Sequence, residues 1–322
     1  MRPFPSILLA ILLPAGTGCV VIPIGDLLRG PVLEEQVLFE GADEEKVAII
    51  DIDGLIRGDE RESVLFPEEN TVAEIQSRLD RVRRDRDVKA VVLRISSPGG
   101  EVTACDVIHH EVRKLKEELK LPVVASILDQ GTSGAYYIAV AGDRVLAQPT
   151  SIVGSIGVLL PSFDLSGLLT KIGVAVSPVK SSDGKDLNSP FRPPTEADRK
   201  VLQALVDDMY GRFVQVVDEG RPGLTSEEVL RIADGRVVSG GEAVKLKLVD
   251  RLGYLRDAID EAARAAGVES PTVVRYARAP RSGANIYSQA LEPRPTAGEI
   301  RVSASAALLD APSLYYLWRP GL

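Results

Sequence analysis

Ser133 stands in the stretch GTSGAYYIAVAGD (131–143), between Gly131 and Gly134 and just ahead of a run that reads as helical. A serine at a strand-to-helix turn presents its hydroxyl where backbone N–H groups point outward, which suits a nucleophile. The same placement suits an N-cap, with the glycines merely permitting the turn. Both readings are open on these residues alone. The stretch Ser97-Pro98-Gly99-Gly100 offers a matching piece of chemistry. Two glycines after a proline let the backbone approach a ligand closely and aim N–H groups at it, as an oxyanion hole requires. Pro-Gly-Gly also makes an ordinary turn.

A nucleophilic serine needs a base. The chain has two histidines, His109 and His110, adjacent and off the apolar stripe of a predicted helix. They read as a solvated pair, so a Ser-His-Asp triad is not expected. No His/Cys cluster has metal-ligand spacing, Cys105 reads as a buried thiol, and no Gly-rich phosphate loop opens a helix; neither a metal nor a cofactor is expected. Lysine remains as the base, provided its amine is neutral at working pH, which desolvation or a nearby cation can bring about. Lys180 and Lys185, in SPVKSSDGKDLNSPFR, are the candidates, and each also reads as an ordinary surface lysine.

The elements that would position these residues alternate. KVAIIDIDGLI (46–56) and KAVVLRI (89–95) read as buried strands, followed by PVVASIL (122–128), DRVLAQP and SIVGSIGVLL. Thr71 with Glu74 predicts a capping box, and Thr103 with Asp106 a second cap after SSPGGEV turns the chain. Val107, Ile108, Val112, Leu115 and Leu119 stripe the helix that follows. A strand is expected to end near Val179. A long helix is expected from Thr195, with Leu202, Leu205, Met209, Phe213 and Val216 on one face. The pattern is α/β with mostly parallel strands.

The N-terminus reads differently. Arg2, the apolar run 7–13 and the small residues 14–19 form an export-like signal over 1–18, with Cys19 placed for lipidation; a retained membrane anchor is the alternative. A linker is expected over 19–45, a catalytic domain over 46–268, and a partly ordered extension over 269–322, where prolines are frequent but LYYLW (314–318) is apolar enough to dock. A net charge of −8 excludes a basic surface for nucleic acid and leaves small molecules or peptides as partners. The first cysteine lies in the leader and the second in a helix, so no disulfide between them is expected.

LRISSPGGEV, ASILDQGTSGAYYIAVAGDRVLAQPTSIVGSIGV and KSSDGKDLNSPFRPPTEADR, in that order, resemble the signal peptide peptidase A family of S49 serine peptidases, over about residues 47–266. The resemblance implies a ClpP/crotonase-like α/β fold with repeated strand-strand-helix units. It implies Ser133 as nucleophile, Lys185 as general base, Ser155 as the residue orienting that lysine, and Gly100 and Gly134 as oxyanion donors. The chain corresponds to the family's short form, with one catalytic unit. Also implied are a ring-like homo-oligomer with active sites shared between neighbours, and a location on the extracytoplasmic side of the cell membrane. Substrates would be signal peptides and other unfolded peptides, with small or apolar side chains at the cleavage site. An acyl-CoA enzyme of crotonase type, or an inactive membrane scaffold, would keep the fold without the serine-lysine chemistry.

Overall fold

A computed structural model of the chain describes residues 33–58, 70–278, 284–288 and 314–318. The leader over 1–18, Cys19 and much of the proline-rich extension lie outside the described residues.

The second strand, β2 (Lys46–Ile56), begins and ends where its sequence pattern places it. Ala48, Ile50 and Ile52 face one apolar layer while Val47 and Ile49 face the other. A strand apolar on both faces belongs inside a parallel sheet. The sheet runs β1 (Glu34–Phe39), β9 (Thr272–Ala277), β2, β3 (Val88–Glu101), β4 (Val123–Thr132), β5 (Arg144–Ala147), β8 (Arg251–Leu252). From β9 to β8 neighbours are parallel, and β1 closes the edge antiparallel to β9. β1 falls within the stretch expected as linker and β9 within the expected extension; both are members of the sheet. β6 (Ile152–Gly154) continues alongside the end of β4, and β7 (Val237–Ser239) pairs antiparallel with it.

Helices cover both faces. α1 (Thr71–Arg84), α2 (Val102–Leu119), the short α3 (Gly134–Ala139) and the C-terminal half of α5 (Glu196–Gly220) pack on one side. The other side is closed by α8 (Leu255–Ala266), through Leu255, Ala258, Ile259 and Ala262. The remaining helices are α4 (Ser166–Lys171), α6 (Ser226–Ile232) and α7 (Gly240–Lys245). No helix of the described residues is long and apolar enough to cross a membrane. This is the α/β architecture expected.

Several local expectations are corrected. The cap of α1 is Asn70, whose Oδ1 accepts from the Ala73 N–H at 2.8 Å, while Thr71 accepts from the Arg57 N–H and Glu74 pairs with Arg78. SSPGG is not a turn: β3 runs through it to Glu101, and α2 starts at the next residue with no side-chain cap from Thr103. Val107 and Leu119 are exposed, and the buried stripe of α2 passes instead through Ile108, His109, Val112 and Leu115. His109 is therefore buried, edge-on to the Tyr137 ring at 5.1 Å, because α3 covers the side of α2 on which it lies. Its neighbour His110 is exposed. No strand forms before Lys180; residues 173–182 are irregular and Val179 is fully exposed. α5 does begin at Thr195, with a capping box closed by Asp198, but its apolar face is buried only at Phe213, Val216 and Val217.

Candidate active site

Ser133 sits at the junction of β4 and α3 with φ 53° and ψ −120°. Side chains rarely adopt this conformation, and holding one there costs about 1–3 kcal/mol, which neighbouring contacts must offset. They are visible. The Ser133 N–H donates to the Gly154 carbonyl at 2.7 Å, and β4 and β6 keep Thr132 opposite Gly154, so that Ser133 and Ser155 follow in register. Ser155 is itself at φ 53°, and its N–H donates to the Arg236 carbonyl at 2.6 Å. Two adjacent strained serines are pinned by backbone bonds. The Ser133 hydroxyl is buried, and among the described residues no group hydrogen-bonds to its Oγ. As an N-cap it would bond to its own helix; it does not, so the capping reading fails.

Around it the glycines are sterically required. A Cβ on Gly134 would lie 2.3 Å from the Cys105 Sγ, and one on Gly99 (φ +96°) would lie 2.1 Å from the Tyr316 carbonyl oxygen and 2.6 Å from the Gly134 nitrogen. The end of β3 and the start of α3 thus meet at their amides. Ser97 fixes the approach: its Oγ donates to the Gly54 carbonyl at 2.6 Å and accepts from the Gly99 N–H at 3.1 Å. Cys105 is buried, as expected, and burial pushes its thiol well above the usual range. The roles of Ser97 and Gly99 were not expected, although both lie in the quoted SPGG stretch. Tyr316 was not expected at the site either; only the apolar character of LYYLW pointed toward docking.

Lys185 lies on a 3₁₀ turn, Asp183–Asp186, and is exposed. Its amine makes no hydrogen bond to the buried Ser133 hydroxyl. Its neighbours are committed elsewhere. Asp186 turns to Lys180 at 2.9 Å and Arg192 at 2.8 Å, and these partners, Arg192 first, hold its carboxyl down to about 2. Arg192 also pairs with Asp198 at the head of α5. Lys180 therefore serves to tie the loop, and Lys185 is left with no carboxylate partner among the described residues. The segment that carries Lys185 also exposes Leu168, Ile172, Val174, Val176 and Val179.

Ser133, strained and with its Oγ unbonded among the described residues, stands at the end of a parallel sheet where Gly99 meets the nitrogen of Gly134, an arrangement that suits acyl transfer by a serine hydrolase. Comparison with known proteins narrows the class. The model of peptidase family S49 matches residues 115–269. A protein of Enterococcus faecium named as a signal peptide peptidase SppA is 36% identical over 245 residues, covering 76% of this chain and 70% of that one. A protein of Methanocaldococcus jannaschii named as a protease is 38% identical over 213 residues, 66% of this chain and 68% of its own. Among solved structures, a mutant of the 1510-N membrane-bound stomatin-specific protease matches with a TM-score of 0.43 at 14% identity, over 68% of this chain and 84% of that chain. The chain belongs to peptidase family S49, and it is a serine-type peptidase.

Proposed function

We propose that the protein is a membrane-associated endopeptidase with a Ser133–Lys185 dyad, acting on signal peptides and other unfolded peptides on the extracytoplasmic side. The observation that supports the nucleophile is the buried Ser133 hydroxyl, unbonded among the described residues, at a strained turn next to Gly134, whose nitrogen lies against Gly99. In the reaction Lys185 takes the Ser133 proton as Oγ attacks the carbonyl, and the Gly100 and Gly134 N–H groups hold the oxyanion. The lysine then passes that proton to the leaving amine. Water, deprotonated by the Lys185 amine, hydrolyses the ester, and Lys185 returns that proton to Oγ as Ser133 is freed. Ser155 borders the space the amine would enter and orients it there.

Because Lys185 is exposed in one chain, the dyad is completed between neighbouring copies in a ring, and the apolar segment around it supplies the contact. Attachment to the membrane is through the N-terminus, by lipid on Cys19 or by a single helix. The test is fluorophosphonate labelling joined to a peptide-cleavage assay on the mature protein. Labelling at Ser133 with cleavage supports the reading; a folded protein that neither labels nor cleaves would instead be a scaffold.

A further inference from the structure

The loop that carries Lys185 is fastened at the very next residue. Arg192 Nη2 donates to the Asp186 main-chain carbonyl at 3.2 Å and to its Oδ1 at 2.8 Å. Its other terminal nitrogen, Nη1, donates to the Asp198 carboxylate and to the Pro193 carbonyl. Asp198 is a fixed point, because the same Oδ2 accepts from the Thr195 N–H at 2.9 Å and closes the capping box that starts α5. The other half of α5 is set in the core through Phe213, Val216 and Val217. At 1.5 Å per residue, the head of the helix stands about 27 Å along its axis from Phe213. Arg192 therefore ties the lysine turn to the end of a rigid rod. A lone exposed ion pair would be a weak tether, but this guanidinium joins two carboxylates and two main-chain carbonyls.

Both oxygens of the Asp186 carboxylate are occupied. Lys180 Nζ donates to Oδ1 at 2.9 Å and to Oδ2 at 3.1 Å, and Arg192 shares Oδ1. Hydrogen bonds from Arg192 first and Lys180 second hold this carboxyl down to about 2, so it is ionised at every pH where an amine could serve as a base. An ionised carboxylate beside an amine favours the amine's charged form, unless other cations take the carboxylate up. The remaining charges bonded around the turn are Asp183, exposed and 3.7 Å from Lys180, and Asp198 on Arg192.

We propose that Arg192 is a positioning residue for Lys185: it clamps the lysine turn to the head of α5 and, with Lys180, occupies the Asp186 carboxylate, so that the neighbouring amine is left unpaired to act as a base. This rests on the reading of Lys185 as the general base for Ser133. The two parts of the role have different signatures. A looser turn lowers the rate equally at every pH, whereas a released Asp186 pairs with the amine next to it and holds the proton on. More alkaline conditions are then needed to free the base, and cleavage recovers once they are reached.

The test measures kcat and KM for cleavage of dye-labelled casein, an unfolded chain, by the full-length protein from about pH 6 to pH 10. In Arg192→Gln the rising limb of kcat is expected to move about one unit to higher pH, a loss of about tenfold on the limb, with KM unchanged. Lys180→Ala should move the limb the same way by about half as much, with cleavage retained. In an Asp186→Asn background neither replacement should move it, because the carboxylate they uncover is gone. A kcat that falls equally at every pH in Arg192→Gln, with the limb in place, would overturn the inference. So would a shift that persists in the Asp186→Asn background. Circular dichroism accompanies each variant; where Arg192→Gln fails to fold, Lys180→Ala decides, and an unmoved limb there overturns the inference as well. Lys185→Ala separates this role from the dyad. Cleavage surviving in that variant would remove the base and the inference with it, whereas lost cleavage there, beside an unmoved limb in Arg192→Gln, would reject the role of Arg192 and leave the dyad standing.

Discussion

Ser133 combines burial, a positive φ and a hydroxyl without a partner among the described residues, and each has a cost that an ordinary turn residue would not carry. Ser133→Ala removes one oxygen and leaves the backbone bond to Gly154 in place, so the fold should persist while kcat for peptide cleavage falls by about 10⁴-fold or more. Retained turnover in the purified variant would reject the assignment. The two lysines separate just as sharply. Lys180 is held in a partly exposed ion pair with Asp186, so Lys180→Ala should cost under about 1 kcal/mol in a denaturant melt and leave cleavage in place. Lys185→Ala should abolish cleavage with little change in stability. The opposite pattern would make Lys180 the base. At Gly99 the obstacle is steric: any Cβ meets backbone atoms of Tyr316 and Gly134, and φ is +96°. Gly99→Ala should destabilise the protein by about 1–3 kcal/mol and weaken cleavage, read as thermal midpoint and kcat/KM together.

Elements were legible where their pattern is local. β2 announces itself by its β-branched apolar content and α5 by Thr195 ahead of an apolar stripe, and both begin where those residues stand. The end of β3 is not local. Its ladder partners, Ile56 and Tyr316, lie far away in the chain, and a Pro-Gly-Gly sequence without them looks like a turn. His109 was misplaced for the same reason, since the surface that buries it belongs to α3. That burial has a measurable effect. Burial first, and then the charge of Arg113, hold His109 neutral down to about 4 against an ordinary 6.5. Between those values the unfolded chain binds a proton that the native chain refuses, so stability falls as pH drops through the window, by about 3 kcal/mol. Asp53, near the end of β2, works in the other direction: burial, then repulsion from Asp51, raises it from 3.8 to about 6. Its contribution is full below 3.8 and is lost as pH rises through 6, also by about 3 kcal/mol. The two nearly cancel between pH 4 and 6. Relative to the parent, His109→Gln should therefore gain stability toward acid and Asp53→Asn should lose it, measured as urea midpoints at pH 4, 5, 6 and 7. Parallel curves for all three proteins would remove both attributions.

At the scale of the molecule, the proposed nucleophile and the proposed base occupy different kinds of surface. Ser133 is buried under the sheet end, whereas Lys185 stands in a segment whose Leu168, Ile172 and Val176 are about half-exposed and whose Val179 is fully so. Apolar side chains crowded into one exposed segment are unusual on a protein that works as a single chain, and they suit a contact between copies. If that contact delivers the lysine of one copy to the serine of the next, the two inactive variants carry complementary halves of the site. Ser133→Ala subunits supply Lys185, and Lys185→Ala subunits supply Ser133. Mixed in equal amounts after dissociation and reassembly, they should regain about a quarter of the parent's cleavage rate, the fraction of random neighbour pairs in which both groups are intact. A dyad closed within one chain would regain nothing, because every copy then lacks one member. Replacing Leu168 and Ile172 together by Asp should remove cleavage and shift sedimentation to a smaller species, while circular dichroism stays unchanged because both side chains are exposed in the single chain. Full activity in a protein that sediments as one chain would mean that Lys185 reaches Ser133 by movement of its own loop, and the shared site would be excluded.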